Sequence, residues 1–306
     1  MAPDVLRGMA QTTRQQVAKS SLGRAAKRER GVEADRYTEI RPATGLLRGF
    51  DLREVWASRQ VALTLASRQL KVRYKQTALG IAWVVVQPAV TVVVFTVIFG
   101  RLAGLPTEGI PYPVFAVAGV VLWNYVSSSV QSATQRLVQD RELITKIYFP
   151  RVLAPLASVL PPLVDLSVGI VIAAVLMAVY GVVPSVAIVL LPLWILAAVL
   201  LAFSVGMVFS ALHVQYRDIG NLISFLLQLW MFTSPIVFAS SSVHGPARTV
   251  LSLNPVTGLA DGLRWSLLGA PAPPAVDLIS LATGVAFAVV ALVYFQRVER
   301  RFADVI

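Results

Sequence analysis

The chain has 306 residues, 56% of them apolar and 14% charged, with a formal net charge of +11 and a mean hydropathy of +0.70. A soluble domain carries about a quarter charged and somewhat under half apolar residues, so one water-bounded core does not absorb this excess. No cysteine is present, which excludes disulfide frameworks and thiolate metal sites, and with only His213 and His244 there is no H-E-x-x-H zinc motif.

The composition predicts an all-α membrane protein, with room for six spans of about 20 residues each. Residues 1–50 come first, with ten Lys/Arg, five Asp/Glu and no sustained apolar periodicity. Arg24, Lys27, Arg28 and Arg30 look like a nucleic-acid patch in isolation. The segment is read instead as a flexible basic tail facing solvent or lipid headgroups, and no nucleic-acid partner is expected. It lacks the apolar run and the cleavage site of a secretory signal.

Residues 51–75 behave differently. Leu52, Val55, Trp56, Leu63, Ala66 and Leu70 recur at helical spacing, while Arg68, Lys71 and Lys75 share a polar flank. This pattern predicts an N-terminal amphipathic interface helix lying in the headgroup region. Packing of the same helix on a soluble partner remains the alternative.

The transmembrane domain is expected over 76–300, with spans near 82–100, 113–133, 152–180, 185–211, 220–239 and 274–295. Spans three and four are joined by a tight turn from Tyr180 to Pro184, marked by Gly181 and Pro184. Pro155, Pro161 and Pro162 predict tilt or breaks in the third span. Lys/Arg number twenty-four on one side of this layout and three on the other. The excess places both termini, including 301–306, in the cytoplasm. Residues 240–273 are too apolar for a solvated loop, yet Asn254-Pro255 and Gly258 interrupt them. Two short outward-facing re-entrant helices are expected there, a form tolerated where protein surrounds their ends.

Neither G-x-x-x-x-G-K-[ST] nor G-x-S-x-G occurs, so the chain has no phosphate-cradling loop and no nucleophile elbow. A transporter built from it takes energy from a partner, an ion gradient or a substrate gradient. Asp165 is the one acidic residue well inside an expected span. Without a clear intramembrane partner, it reads as a cap on the proline break or a bond to a neighbouring helix, not a proton relay. Acids on the outer face, Glu108, Asp261 and Asp277, are widely spread in sequence, as is His244. A membrane-bound glycosyltransferase or acyltransferase would need them clustered, so no catalytic residue is assigned.

Segment 136–151 is charged and helical in pattern until Pro150, with Arg136, Asp140, Arg141, Glu142, Lys146 and Tyr148 as docking side chains. Pattern alone leaves it either a positive-inside connector or a helix that takes force from a peripheral motor. Aromatic residues at span ends, among them Trp83, Tyr125 and Trp230, suit an interfacial belt or a sugar-stacking lining.

Five ordered blocks carry a family resemblance: RYKQTALGIAWVVVQPAV at 73–90, GIPYPVFAVAGVVLWNY at 109–125, ELITKIYFPRVLAPLAS at 142–158, YRDIGNLISFLLQLWMFTSPIVF at 216–238 and LNPVTGLADGLRWSLLG at 253–269. Together they resemble permeases of ABC-2-type polysaccharide and polyol-phosphate exporters, the membrane subunits that move O-antigen, teichoic acid, capsule or galactan chains. The resemblance covers roughly residues 50–300 and says nothing of the tail. It implies six helices, a homodimer with a channel at its interface, and two ATP-binding subunits that hold ATP and Mg²⁺, with no cofactor in this chain. It also implies a bacterial inner-membrane location and a lipid-linked glycan as substrate. Arg136, Asp140, Arg141, Glu142, Lys146 and Tyr148 would lie in the main coupling helix, with Arg217 and Asp218 as a second contact. Trp83, Tyr125 and Trp230 become candidates for the substrate path. An ABC-2-type drug or lipid exporter is the alternative within transport.

Overall fold

Two units make up the chain, residues 1–48 and 49–306. The computed structural model describes residues 52–75, 82–142 and 149–299, all within the second unit. The tail at 1–50, the C-terminus at 301–306, and Lys146 and Tyr148 lie outside the described residues. Every regular element among the described residues is helical.

The helix expected over 51–75 is two helices, α1 (Leu52–Ala57) and α2 (Arg59–Lys75), with Ser58 between them. Ala62, Leu65 and Ala66 of α2 pack with Phe149, Leu153 and Ala157. Trp56 and Leu63, part of the anticipated apolar stripe, are exposed instead. Small alanines let two helices approach closely, so the buried seam follows fit with the facing helix, not side-chain size.

Helix α3 (Ala82–Phe95) runs into a π-helical stretch, Thr96–Leu102. Its buried Pro88 has no N–H, so the Val84 carbonyl loses its helical donor. Helix α4 (Tyr112–Gln139) has 28 residues and begins at Pro111 and Pro113, whose fixed φ suits a first turn. At about 1.5 Å per residue it is longer than a hydrocarbon core of roughly 30 Å. It is buried along nearly its whole length, and the helices at 82–95, 162–180 and 191–215 pack against it.

The third expected span is broken where its prolines predict. Helix α5 (Leu153–Val159) stops before Pro161, and α6 (Pro162–Tyr180) restarts with proline in its first turn. The 19 residues of α6 suffice to cross a core of roughly 30 Å. Gly181, at φ +68°, closes α6 in a left-handed cap that residues with a Cβ rarely adopt. A 3₁₀ turn at Val186–Leu190 leads into α7 (Leu191–Gln215).

The region expected to form the span 220–239 differs. Helix α8 (Ile219–Phe232) has 14 residues and ends before a buried, non-helical stretch at 234–237. Pro235 accounts for the stop, because its ring disfavours helical geometry at the residue before it. Five helices among the described residues are therefore long and apolar enough to cross a membrane, with α8 a shorter apolar sixth.

Two short helices then form within 240–273: α9 (Pro246–Ser252) and α10 (Pro255–Leu268). The Asn254 side chain accepts from the Val256 N–H at 3.0 Å, capping α10 above its first-turn proline. Helix α11 (Asp277–Glu299) completes the described chain.

One core joins α4, α6, α7, α8 and α10, with Val121, Trp123, Leu166, Leu201, Ile223 and Leu263 among its buried members. Helices α4 and α7 meet at Gly206, where a Cβ would come within 2.5 Å of the Ala133 Cβ. Outward faces are apolar too: Val171, Val175 and Val179 on α6 and Val285, Val289 and Val290 on α11 are exposed. Such a surface belongs in lipid or against another chain. The protein is an integral membrane protein with several spans.

Candidate functional site

The helices alternate in direction, so the turns gather at two ends. One end carries the α4–α5 and α7–α8 turns and the last residues of α11. The other carries residues 103–111 and 181–190, the stretch after α8, and α9 with α10.

At the second end the non-helical stretch after α8 needs partners for its carbonyls. Arg264 supplies them: Nη1 donates to Pro235 O at 2.8 Å and Nη2 to Ile236 O at 2.7 Å. Tyr112 OH donates to Val237 O at 2.7 Å. The Arg264 guanidinium lies 3.7 Å from the Phe115 ring centroid and is 2% exposed. Gly119 leaves the space for this arrangement, since a Cβ there would overlap the Ile236 carbonyl and sit 2.9 Å from Arg264 Nη2.

Around it the acids that are spread in sequence come together. Arg248 Nη2 meets Asp277 at 2.6 Å and Asp261 at 3.7 Å, and Asp261 also faces Arg264 at 3.7 Å. Ser240 donates to Asp261, and Ser241 to Glu108 at 2.5 Å. The acids thus cluster, contrary to their sequence spacing, but arginines and hydroxyls occupy them. The network ties α9, α10 and α11 together. Nothing in the sequence patterning distinguishes Arg248 or Arg264 from ordinary loop cations.

At the first end, Arg136 and Asp140 pair with each other across one helical turn, Nη2 to Oδ1 at 2.8 Å. Asp140 is buried and caps the C-terminus of α4. Arg141 and Glu142 are exposed just beyond, as are Arg217 and Asp218 in the turn before α8. Arg151 Nη1 donates to Glu299 O at 2.8 Å, holding the start of α5 to the end of α11.

The three aromatic candidates for the substrate path separate. Trp83 and Tyr125 line one cavity of about 240 Å³ between α2, α3, α4 and α6. Asp165 lies there too, paired with Arg73 of α2 at 2.6 Å. The carboxylate therefore has a cationic partner that its position within the span did not reveal, because that partner comes from the preceding helix. Its place in the first turn of α6, just past Pro161 and Pro162, agrees with the structural reading.

Trp230 instead lines an apolar cavity of about 620 Å³ with Phe209, Leu251 and Phe287. Its ring stands edge-on to Trp123, with centroids 5.7 Å apart, and its Nε1 donates to Asn254 Oδ1 at 3.0 Å. Among the described residues no group of three His, Asp or Glu side chains is placed to hold a metal.

Comparison with known proteins agrees with this architecture. The O-antigen export system permease protein RfbA of Klebsiella pneumoniae is 28% identical over 247 residues, 80% of this chain and 94% of that protein. The protein of the same name from Myxococcus xanthus is 28% identical over 234 residues, covering 76% of this chain and 89% of its own length. The family described as ABC-2 type transporter matches residues 60–268, from α2 to the last residue of α10, and the chain belongs to that family.

Proposed function

We propose that this permease exports a lipid-linked polysaccharide across a bacterial inner membrane, driven by ATP hydrolysis in a partner protein. The observation that carries the reading is similarity over some four fifths of the chain to permeases named for O-antigen export. The working unit is a homodimer of this chain with two ATP-binding subunits, which hold ATP and Mg²⁺. The exposed apolar stripe Leu222, Phe225, Leu229 and Phe232 along α8 supports an apolar neighbour there, lipid or a second copy.

Charge asymmetry supports cytoplasmic termini, which puts the α4–α5 and α7–α8 turns on the side of the ATPase. Helices α1 and α2 then follow the inner leaflet. Helices α9 and α10 dip back from the outer face. Exposed Arg141 and Glu142, with Lys146 and Tyr148 beyond, receive force from the closing ATPase, assisted by Arg217 and Asp218. Arg136 and Asp140 stiffen the end of α4, so that a push on the turn travels along the buried central helix. The glycan passes without chemical change, so no catalytic group is assigned.

Depletion of the protein in its host, with leaflet-resolved extraction of lipid-linked glycans, tests the reading. Accumulation of a polymer on the cytoplasmic side with loss at the surface is the expected result. Unchanged glycan pools together with altered sensitivity to small amphiphiles would overturn it. That outcome favours an ABC-2 drug or lipid exporter, a second reading that the 620 Å³ apolar cavity supports.

A further inference from the structure

The cavity of about 240 Å³ between α2, α3, α4 and α6 has a chemical character that transport alone does not require. Its lining includes Gln87 of α3 and Asn124 and Ser128 of α4, whose side chains make no hydrogen bond to any described residue. Pro88 adds the freed carbonyl of Val84, and both residues line the same cavity. Gln87 is exposed and Asn124 and Ser128 are half-buried, so these amides and this hydroxyl are accessible to a polar occupant of the cavity. The Arg73–Asp165 pair at 2.6 Å contributes one charge of each sign. A phosphate here would meet the Asp165 carboxylate as well as the guanidinium. A hydroxyl group suits both, donating to the carboxylate and accepting from the guanidinium. Trp83, 53% exposed, and the ring of Tyr125 add aromatic surface. The electron-rich face of such a ring attracts the polarised C–H face of a sugar. The volume lies below the roughly 300–1,000 Å³ of sites that enclose drug-sized ligands. It holds one ring and leaves the rest of any polymer outside.

We propose that this cavity is a binding site for a single neutral sugar ring. Gln87, Asn124, Ser128 and the Arg73–Asp165 pair bond its hydroxyls, and Trp83 stacks on its C–H face. The site deepens the export reading and rests on it: it holds the sugar nearest the lipid anchor where the chain meets the inner leaflet. Asp165 is then a binding residue as well as a structural one.

The test uses the full chain in lipid nanodiscs and native mass spectrometry, with two probes. Monogalactosyl diacylglycerol offers a neutral sugar, and phosphatidylglycerol an anionic phosphate without one. Retention of the galactolipid above phosphatidylglycerol is expected, falling about tenfold in Gln87→Ala and in Asn124→Ala, the scale of one or two lost hydrogen bonds. Trp83→Phe should retain the galactolipid and Trp83→Ala should lose it, since only the former keeps an aromatic face. Neither amide bonds another described residue, so both alanine variants should unfold at the wild-type temperature, which the same preparations check. Equal retention of both probes, preference for phosphatidylglycerol, or retention indifferent to these variants would each overturn the sugar site. Any of those results leaves the depletion phenotype intact, so the failure of this site and the failure of the export reading are separable.

Discussion

Arg264 shows how much one side chain decides. Its guanidinium supplies the donors that a broken helix loses, and Arg suits the task because its planar fork reaches two carbonyls at once. Replacement by Leu leaves Pro235 O and Ile236 O unpaired in a buried setting, at a cost of roughly 2–5 kcal/mol. Arg264→Lys should fall between, since an ammonium engages one carbonyl well and not both. Gly119→Ala should destabilise to a similar degree by displacing the same fork. Thermal unfolding of the three purified variants in detergent checks the order: wild type, then Lys, then Leu. Equal melting of Leu and wild type would remove Arg264 from this role. In sequence, Arg264 is one cation in a loop of mixed character, because its carbonyl partners lie 28 and 29 residues away. Asp165 was more legible. Its position after two prolines marked it as structural, but Arg73 lies 92 residues earlier, and no periodicity links the two.

Helix breaks were legible at several of the prolines that make them, though not at Pro235. Pro161 and Pro162 divide α5 from α6, Pro255 opens α10, and the glycine at 181 ends α6 in the turn foreseen there. The missing second half of the span at 220–239 was not, because a hydropathy window averages over the apolar Ile236, Val237 and Phe238 whatever their backbone does. Close helix crossings were equally invisible. Gly206 reads as an ordinary residue in an apolar run, yet it sets the distance between α4 and α7. Gly206→Leu should push those helices apart and cost about 1–3 kcal/mol, the usual penalty for overpacking, seen as a lower melting temperature. The exposed turns carry a different prediction. Arg141→Ala and Glu142→Ala should leave melting unchanged while export per ATP hydrolysed falls roughly tenfold, a coupling loss of about 1.4 kcal/mol. Reconstituted complexes assayed for both hydrolysis and export check this. Full export with either variant would move the force-bearing contact elsewhere.

At the scale of the whole molecule, the bundle is arranged around the buried α4, with its polar features divided between two ends. The natural chain contains no cysteine, so single cysteines can report which side each end faces. Arg217→Cys should react with an impermeant maleimide only from the cytoplasmic side, and Val183→Cys only from the opposite side, in intact cells against inverted vesicles. The reverse pattern would invert the assigned topology. The sequence by itself determined that the chain lives in a membrane, that it is helical, and roughly where most helices start and stop. Those properties depend on local hydropathy and on proline and glycine, whose effects act within a few residues. It also identified the family, through five blocks in a common order. Only the tertiary structure decided that α8 stops short, that Arg264 serves the carbonyls beyond it, that Arg73 pairs with Asp165, and that Trp83 and Tyr125 share a cavity while Trp230 does not. Each of these joins residues far apart in the chain, and such pairings are settled by packing in three dimensions.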